Sequence, residues 1–300
     1  MHRNSVVILL LVWFSGLFAL TAQAASDLTI ASLNTLHLNW GKPQNLTNRC
    51  AAIDELLKKS DIVLLQEVMK TNIFTCTLTT DFGADCSALK GASTYKEAYC
   101  FVYRKTKTST NPSIAVLAMK DAPSGYFSRP PYAIFTHISL PNNTTQYMWF
   151  VNIHSIFGSQ IKARQDEATA AGAFFNQLAT SPVVISSGTI LPPNGVSFPI
   201  AIGGDWNIAI TNGITLQHGF EWVSSSASPN TDPDGCPKND PTSLTNNGTP
   251  SSPYDHIIIS TKTLTGDTNC HRTIDPALNM ADWRKNVSDH MAIYWGVKFK

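Results

Sequence analysis

The chain has 300 residues, 43% hydrophobic and 14% charged, with 22 Lys+Arg against 21 Asp+Glu and a formal net charge of +1. That length suits one large domain or two small ones, and the charge balance excludes a protein that holds polyanions by overall attraction; a local patch must do it. After residue 24 no segment approaches ~20 consecutive apolar residues, which excludes a later membrane-spanning helix.

The first stretch, "MHRNSVVILLLVWFSGLFALTAQA", combines Arg3, an apolar core from Val6 to Leu20 and a small-x-small site at Ala22 to Ala24. It reads as a secretory signal peptide over 1–24. Removing Arg3 from the 22 cations leaves 21 against 21 anions, a net charge of zero. The expected product is secreted, or periplasmic in a bacterial host, with 25–300 as one domain, no stable membrane association and a monomeric state. No protein partner is indicated.

Apolar runs of strand character follow in order: Leu28–Leu33, Ile62–Gln66, Tyr99–Arg104, Ile114–Met119, Tyr132–Leu140, Tyr147–His154, Ile200–Gly204, His256–Ser260 and Met291–Val297. Several are apolar on both faces, which predicts strands covered on both sides. Between them, "TNRCAAIDELLKKS" predicts a helix capped by Thr47 or Asn48. "SQIKARQDEATAAGAFFNQLA" predicts another, with Ile161, Ala168, Ala171, Phe175 and Leu178 near one face. The mixture predicts an α/β fold with sheet inside and helices outside. Ser181–Pro199 and Ser224–Pro253 read as long surface loops.

The six cysteines are Cys50, Cys76, Cys86, Cys100, Cys236 and Cys270. An even count in an exported chain predicts up to three disulfides, with Cys76–Cys86 favoured because it would close a Thr/Asp/Gly-rich loop. No spacing matches a zinc site. The sequons "NLT", "NNT", "NTT", "NGT" and "NVS" carry meaning only in a glycosylating host.

Polar residues gather at the strand ends. Asn34 follows "TIASL", Glu67 follows "IVLLQ", Asn152 and His154 follow "MWFV", and Asp205 and Asn207 follow "IAIGG". Asp255 precedes "HIIIS", and Asp289 and His290 precede "MAIYW". Strand ends on a packed sheet let side chains converge while their backbones stay rigid. Each residue also has a plain structural use, as a turn cap, a strand-terminal charge or a core histidine. Together they suit attack of water on a phosphate ester, which needs charge neutralisation, a base and an acid. Carboxylate and amide oxygens suit Mg²⁺ or Mn²⁺. A histidine oriented by a carboxylate can give or take a proton.

These segments resemble the endonuclease/exonuclease/phosphatase superfamily. "SLN" at Asn34, "LLQEV" at Glu67, "VNIHS" at His154, "GGDWN" at Asp205, "PYDHIII" at Asp255 and "SDH" at Asp289 stand in family order. "STYKEAYCFVYR" and "YFSRPPYAIF" are similar to segments of its deoxyribonuclease I branch. The resemblance implies a four-layer α/β sandwich, two packed mixed β-sheets flanked by helices. It implies that Glu67, Asn34 and Asp289 hold a divalent ion, and that Asp205 and Asn207 position water and phosphate. Glu97 would orient His154 and Asp255 would orient His290. One histidine would serve as base and the other as acid, in either order; we place His290 on the base side and His154 on the leaving-group side. Arg129, Tyr95, Tyr254 and Asn152 would face substrate.

The chain also departs from that branch. Leu36, Met69 and Ala92 stand where basic residues reach the DNA minor groove, with His37, Lys70 and Lys90 nearby. The branch's calcium loop has no counterpart between Arg104 and Tyr126, so Mg²⁺ or Mn²⁺ is the expected cofactor and Ca²⁺ the alternative. The expected function is metal-dependent cleavage of DNA, held by its phosphate backbone, with little sequence specificity. The alternatives are a sphingomyelinase or other lipid phosphodiesterase, or a genotoxin-like nuclease subunit, on the same fold. A secreted binding module on a decayed catalytic fold would show a broken core set, and none is found.

Overall fold

The computed structural model describes residues 26–40, 43–69, 75–91, 95–193, 196–210, 219–222 and 241–300. The signal-peptide reading, Lys70, Ala92, Cys236 and most of the 224–253 loop lie outside these residues.

In chain order the elements begin with β1 (Leu28–Leu38), α1 (Pro43–Lys59), β2 (Ile62–Val68), β3 (Phe82–Cys86), β4 (Ala98–Arg104) and β5 (Ser113–Asp121). Then come β6 (Tyr132–Ser139), β7 (Thr145–His154), α2 (Ile161–Thr180), β8 (Val183–Ile185), β9 (Gly188–Ile190) and β10 (Ile200–Asp205). The last are β11 (Phe220–Trp222), β12 (Asp255–Ser260), β13 (Leu264–Thr273), α3 (Met280–Asn286) and β14 (Ala292–Phe299).

The strands form two 6-stranded sheets, ordered β13-β14-β1-β2-β4-β3 and β11-β12-β10-β7-β6-β5. Both are mixed: β1 runs parallel to β2 and antiparallel to β14, and β10 runs parallel to β7 and antiparallel to β12. Successive side chains on a strand point to opposite faces, so an unbroken apolar run feeds two cores. Ile62 and Leu64 of β2 pack with Ile134, Phe150 and Ile257 of the other sheet. Val63 and Leu65 turn the other way, onto Ile53 and Leu56 of α1 and Trp283 of α3. Val151 and Ile202 of the second sheet meet Phe174 and Phe175 of α2. The layers therefore run helices, sheet, sheet, helix, the sandwich expected from the resemblance.

Details differ from the sequence reading. Helix α1 begins at Pro43, ahead of the Thr47/Asn48 cap, because a proline in the first turn gives up an N–H that has no partner there anyway. Ile161 is exposed at the start of α2, while Ala168, Ala171, Phe175 and Leu178 are buried. A short hairpin, β8–β9, forms inside the expected 181–199 loop. The favoured Cys76–Cys86 pair is wrong: the bonds are Cys50–Cys76 and Cys86–Cys100. Cys86 lies directly opposite Cys100 in the β3–β4 ladder, and Cys76 meets Cys50 on α1. Cys270 is also disulfide-bonded. No helix among the described residues is long and apolar enough to cross a membrane.

Gly204 sits one residue before Asp205 with φ +154°, and a Cβ there would fall 1.9 Å from the carbonyl oxygen of Ile153. Only glycine allows β7 and β10 to lie this close at the point where both deliver polar side chains. Gly204→Ala should lower unfolding stability by about 3 kcal/mol, from backbone strain plus overpacking. Denaturant titration checks this, and an unchanged midpoint would contradict it.

Candidate active site

Strand register brings the polar residues together. Across the second sheet, Asp205 pairs with His154 on β7 and with Asp255 on β12. On the first sheet, Asn34 pairs with Gln66 across β1–β2, Glu67 follows it, Glu97 immediately precedes β4, and His290 stands two residues before β14. Asn34, Glu67, His154, Asp205 and His290 line one cleft of about 540 Å³ between the sheet ends, joined there by Tyr95, Tyr254, Asn207 and Asp289. Glu97 and Asp255 stand behind the histidines, both buried.

The backbone is bent to achieve this. The β1–β2 ladder shifts register between Asn34 and Leu38, and the β2–β4 ladder shifts between Leu65 and Val68. Leu36, His37, Asn39, Glu67 and Asn207 all have positive φ, between 45° and 72°. Non-glycine residues there cost about 1–3 kcal/mol each and gather where function holds them. The irregularity turns Glu67 out of an otherwise buried strand toward the cleft.

Asp205 is the hub. Its Oδ2 lies 3.1 Å from Asn34 Nδ2, 3.5 Å from His154 Nε2 and 3.4 Å from His290 Nε2. Behind the rings, His154 Nδ1 lies 2.6 Å from Glu97 Oε1 and His290 Nδ1 lies 2.6 Å from Asp255 Oδ2. The two imidazoles thus enter from different sheets, each backed by its own carboxylate. Asn207 donates its backbone N–H to Asp205 Oδ1 at 2.8 Å and its Nδ2 to Ser155 O at 3.0 Å.

Burial alone would drive both rings toward the neutral form. Glu97 beside His154, and Asp255 with Asp205 beside His290, outweigh it. Both histidines are raised above their usual value, His290 well above. A raised folded-state pKa adds stability that is fully present below the unfolded value of about 6.5 and is lost as pH rises through the folded value. In chelator, wild type should therefore lead His290→Gln in melting temperature at low pH and lose that lead as pH rises. A lead that grows with pH would contradict the pairing. Burial, with Glu67 and Glu97 nearby, also pushes the Tyr95 phenol up, so it stays neutral.

Acidic and histidine groups here could hold a metal ion. Ligand atoms of Glu67, Glu97 and His154 lie within 4.8 Å of one another, as do those of Asp205, Asp255 and His290. Both histidines already have a carboxylate on Nδ1, so these groups suit proton handling. Glu67 and Asp289 also bring carboxylates to the cleft that could hold a hard cation. Asp289 Oδ1 is buried without a hydrogen-bond partner, an open position that a cation fits. Arg284 is 3.8 Å from its other oxygen. Asn34 is expected among the ligands, but it donates Nδ2 to Glu67 Oε1 at 3.1 Å and to Asp205, while its Oδ1 accepts from Leu36 N at 3.0 Å. It spaces the two carboxylates.

Tyr95 and Tyr254 line the cleft. Arg129 also borders it but is buried, donating to His154 O at 3.1 Å, to Ser155 O and to Glu97 Oε2 at 3.5 Å. It braces the His154 segment. Asn152 does not reach the cleft. Fully buried between the sheets, it donates to Leu65 O and Cys100 O and accepts from Gln66 at 2.7 Å. Its amide groups are spent on joining the sheets.

Several supporting residues escape the sequence reading. Glu167 on α2 accepts the backbone N–H groups of Ser128 and Ile156, each at 2.6 Å, tying together the loops that carry Arg129 and His154. Its signal is a glutamate on the stripe that continues through Ala171, Phe174 and Leu178. Ser288 accepts from His290 N and donates to Asn34 O, and Thr242 Oγ1 accepts from Tyr254 N and Asp255 N. His37 places Nε2 3.0 Å from the Tyr95 hydroxyl and 3.3 Å from Glu67 Oε2.

The sequence pattern of the Endonuclease/Exonuclease/phosphatase family matches residues 31–290, which covers the site from Asn34 to His290. The chain belongs to this family. Among curated family relatives, a deoxyribonuclease of Thioalkalivibrio sp. is 27% identical over 187 residues, 60% of this chain and 47% of that protein. Deoxyribonuclease gamma of Rattus norvegicus is 26% identical over 130 residues, 40% of this chain and 42% of that protein. The chain thus spans about half the length of the curated relatives it matches, or less. The solved structure of a humanized D. rerio TDP2 aligns with TM-score 0.57 at 13% identity, covering 90% of this chain and 98% of that one, a likeness of fold.

Proposed function

We propose that the protein is an exported, divalent-metal-dependent endonuclease that hydrolyses DNA phosphodiester bonds with little sequence preference, and that residues 25–300 act as one domain. The observation that carries this reading is Asp205 Oδ2 standing 3.4–3.5 Å from two carboxylate-backed imidazoles, in the cleft that also holds Glu67. The curated deoxyribonuclease relatives support DNA as substrate.

Glu67 and Asp289 would hold the ion, Mg²⁺ or Mn²⁺, which when bound supplies charge neutralisation at the phosphoryl oxygens. Asp205 and Asn207 position the water and the scissile phosphate. His290 Nε2, with Nδ1 held by Asp255, takes the proton from water; His154 Nε2, with Nδ1 held by Glu97, returns one to the leaving alkoxide. The two Nε2 atoms lie almost equally far from Asp205, so the exchanged assignment of base and acid fits the same geometry. Contacts to phosphate carry no base information, hence the low specificity.

The test is to incubate the mature protein with supercoiled plasmid, single-stranded DNA, RNA and choline phospholipid vesicles, each with Mg²⁺, Mn²⁺, Ca²⁺ or chelator. DNA cleavage that needs the metal is expected. Choline-phosphate release without DNA cleavage would replace the nuclease reading by the lipid one.

A further inference from the structure

The rim of the cleft is aromatic. Trp40 is 58% exposed and Phe157 81% exposed. Phe157 borders the cleft itself, just past the end of β7. Trp40 follows β1 on the other sheet, and its ring meets His37 edge-on at 5.2 Å; His37 in turn meets Tyr95 at 5.6 Å. An aromatic row therefore leads from the surface down to Glu67, which His37 touches.

Cations are scarce in the same place. Among the described residues lining the cleft, Arg129 is the one Lys or Arg, and its guanidinium is buried and committed to Glu97 and two carbonyls. Grip on a duplex depends on neutralising phosphates with free lysines and arginines, while paired bases keep their faces hidden in the stack. A single strand offers the reverse: open π-faces that stack on aromatic side chains whatever the base. Exposed aromatic faces beside a hydrolytic cleft serve the second substrate and are idle with the first.

We propose that the cleft takes single-stranded DNA, with unpaired bases stacked on Trp40 and Phe157 on either side of the scissile phosphate. This rests on the phosphodiesterase reading above. The experiment measures kcat and KM on a labelled single-stranded oligonucleotide and on the same sequence as a blunt duplex, with bis(p-nitrophenyl) phosphate as a base-free diester.

The single strand should be cut with at least tenfold higher kcat/KM than the duplex, roughly the worth of one stacked base. Trp40→Leu and Phe157→Leu should each raise KM for the single strand by about tenfold, while Phe157→Tyr, which keeps the ring, holds the wild-type KM. Equal or faster cleavage of the duplex would overturn the proposal, as would an unchanged KM in both leucine variants. Failure of the wild type to hydrolyse even bis(p-nitrophenyl) phosphate would instead remove the phosphodiesterase reading beneath it.

Discussion

Asp205→Asn should lower turnover on DNA by about 10³-fold or more, toward the upper end of what acid–base groups contribute, because it disables both imidazoles at once. The substitution keeps size and shape but removes the charge that lies within 3.5 Å of both Nε2 atoms and helps to raise both pKa values. It also ends the acceptor role toward Asn34, which spaces Asp205 from Glu67. The backbone around Asp205 is held by β7 and β12, so the fold should survive, and an unchanged circular dichroism spectrum would show it. Single-turnover rates on a labelled oligonucleotide decide the matter. A loss below tenfold would mean that Asp205 is structural and that the chemistry lies elsewhere in the cleft.

His154→Ala and His290→Ala should each cost at least ~10²-fold in kcat. The rings come from different sheets and converge on one carboxylate oxygen, so they act as a unit and the double variant should lose much less than the product of the single losses. Each ring's carboxylate gives a second reading of the same scheme. Glu97→Gln and Asp255→Asn keep the hydrogen-bonding shape but weaken the hold on the imidazolium, and each should shift the pH–rate profile of its own histidine to lower pH. Wild-type turnover in either alanine variant would dismiss the paired-histidine scheme.

The inner strands were legible because burial on both faces leaves unbroken apolar runs, as in Ile62–Leu65 and Ile200–Ile202. Among the edge strands β5 is legible too, as Ile114–Met119, but β3, β11 and β13 are not. β3 is only partly buried along its length, and β13 ("LTGDTNCHRT") is polar and pairs with β14 alone. Missing β3 also hid the Cys86–Cys100 bond, which depends on that register. Helix α3 has one turn fewer than periodicity needs, although Asn279 caps it by accepting from Asp282 N.

At the site, the residues were legible as polar side chains ending apolar strands. Their exact duties were not. Nothing in the spelling of "YFSRPPYAIF" or "VNIHS" says that Arg129 turns inward to two carbonyls, or that Asn152 knits the sheets together beneath the cleft. The bulges that aim Glu67 and the left-handed turn at Leu36 and His37 come from the packing of three strands, which no local propensity encodes.

The proposed function requires one cation, held by Glu67 and Asp289, beside the two histidines. The most direct measurement is cleavage of labelled DNA by one enzyme preparation in Mg²⁺, after excess chelator, and after Mg²⁺ is restored, with wild type and Glu67→Gln side by side. Wild type should cut, stop and resume, and Glu67→Gln should stay silent at the Mg²⁺ level that saturates wild type. Undiminished cutting in chelator, or a Glu67→Gln enzyme that keeps pace with wild type, would contradict it.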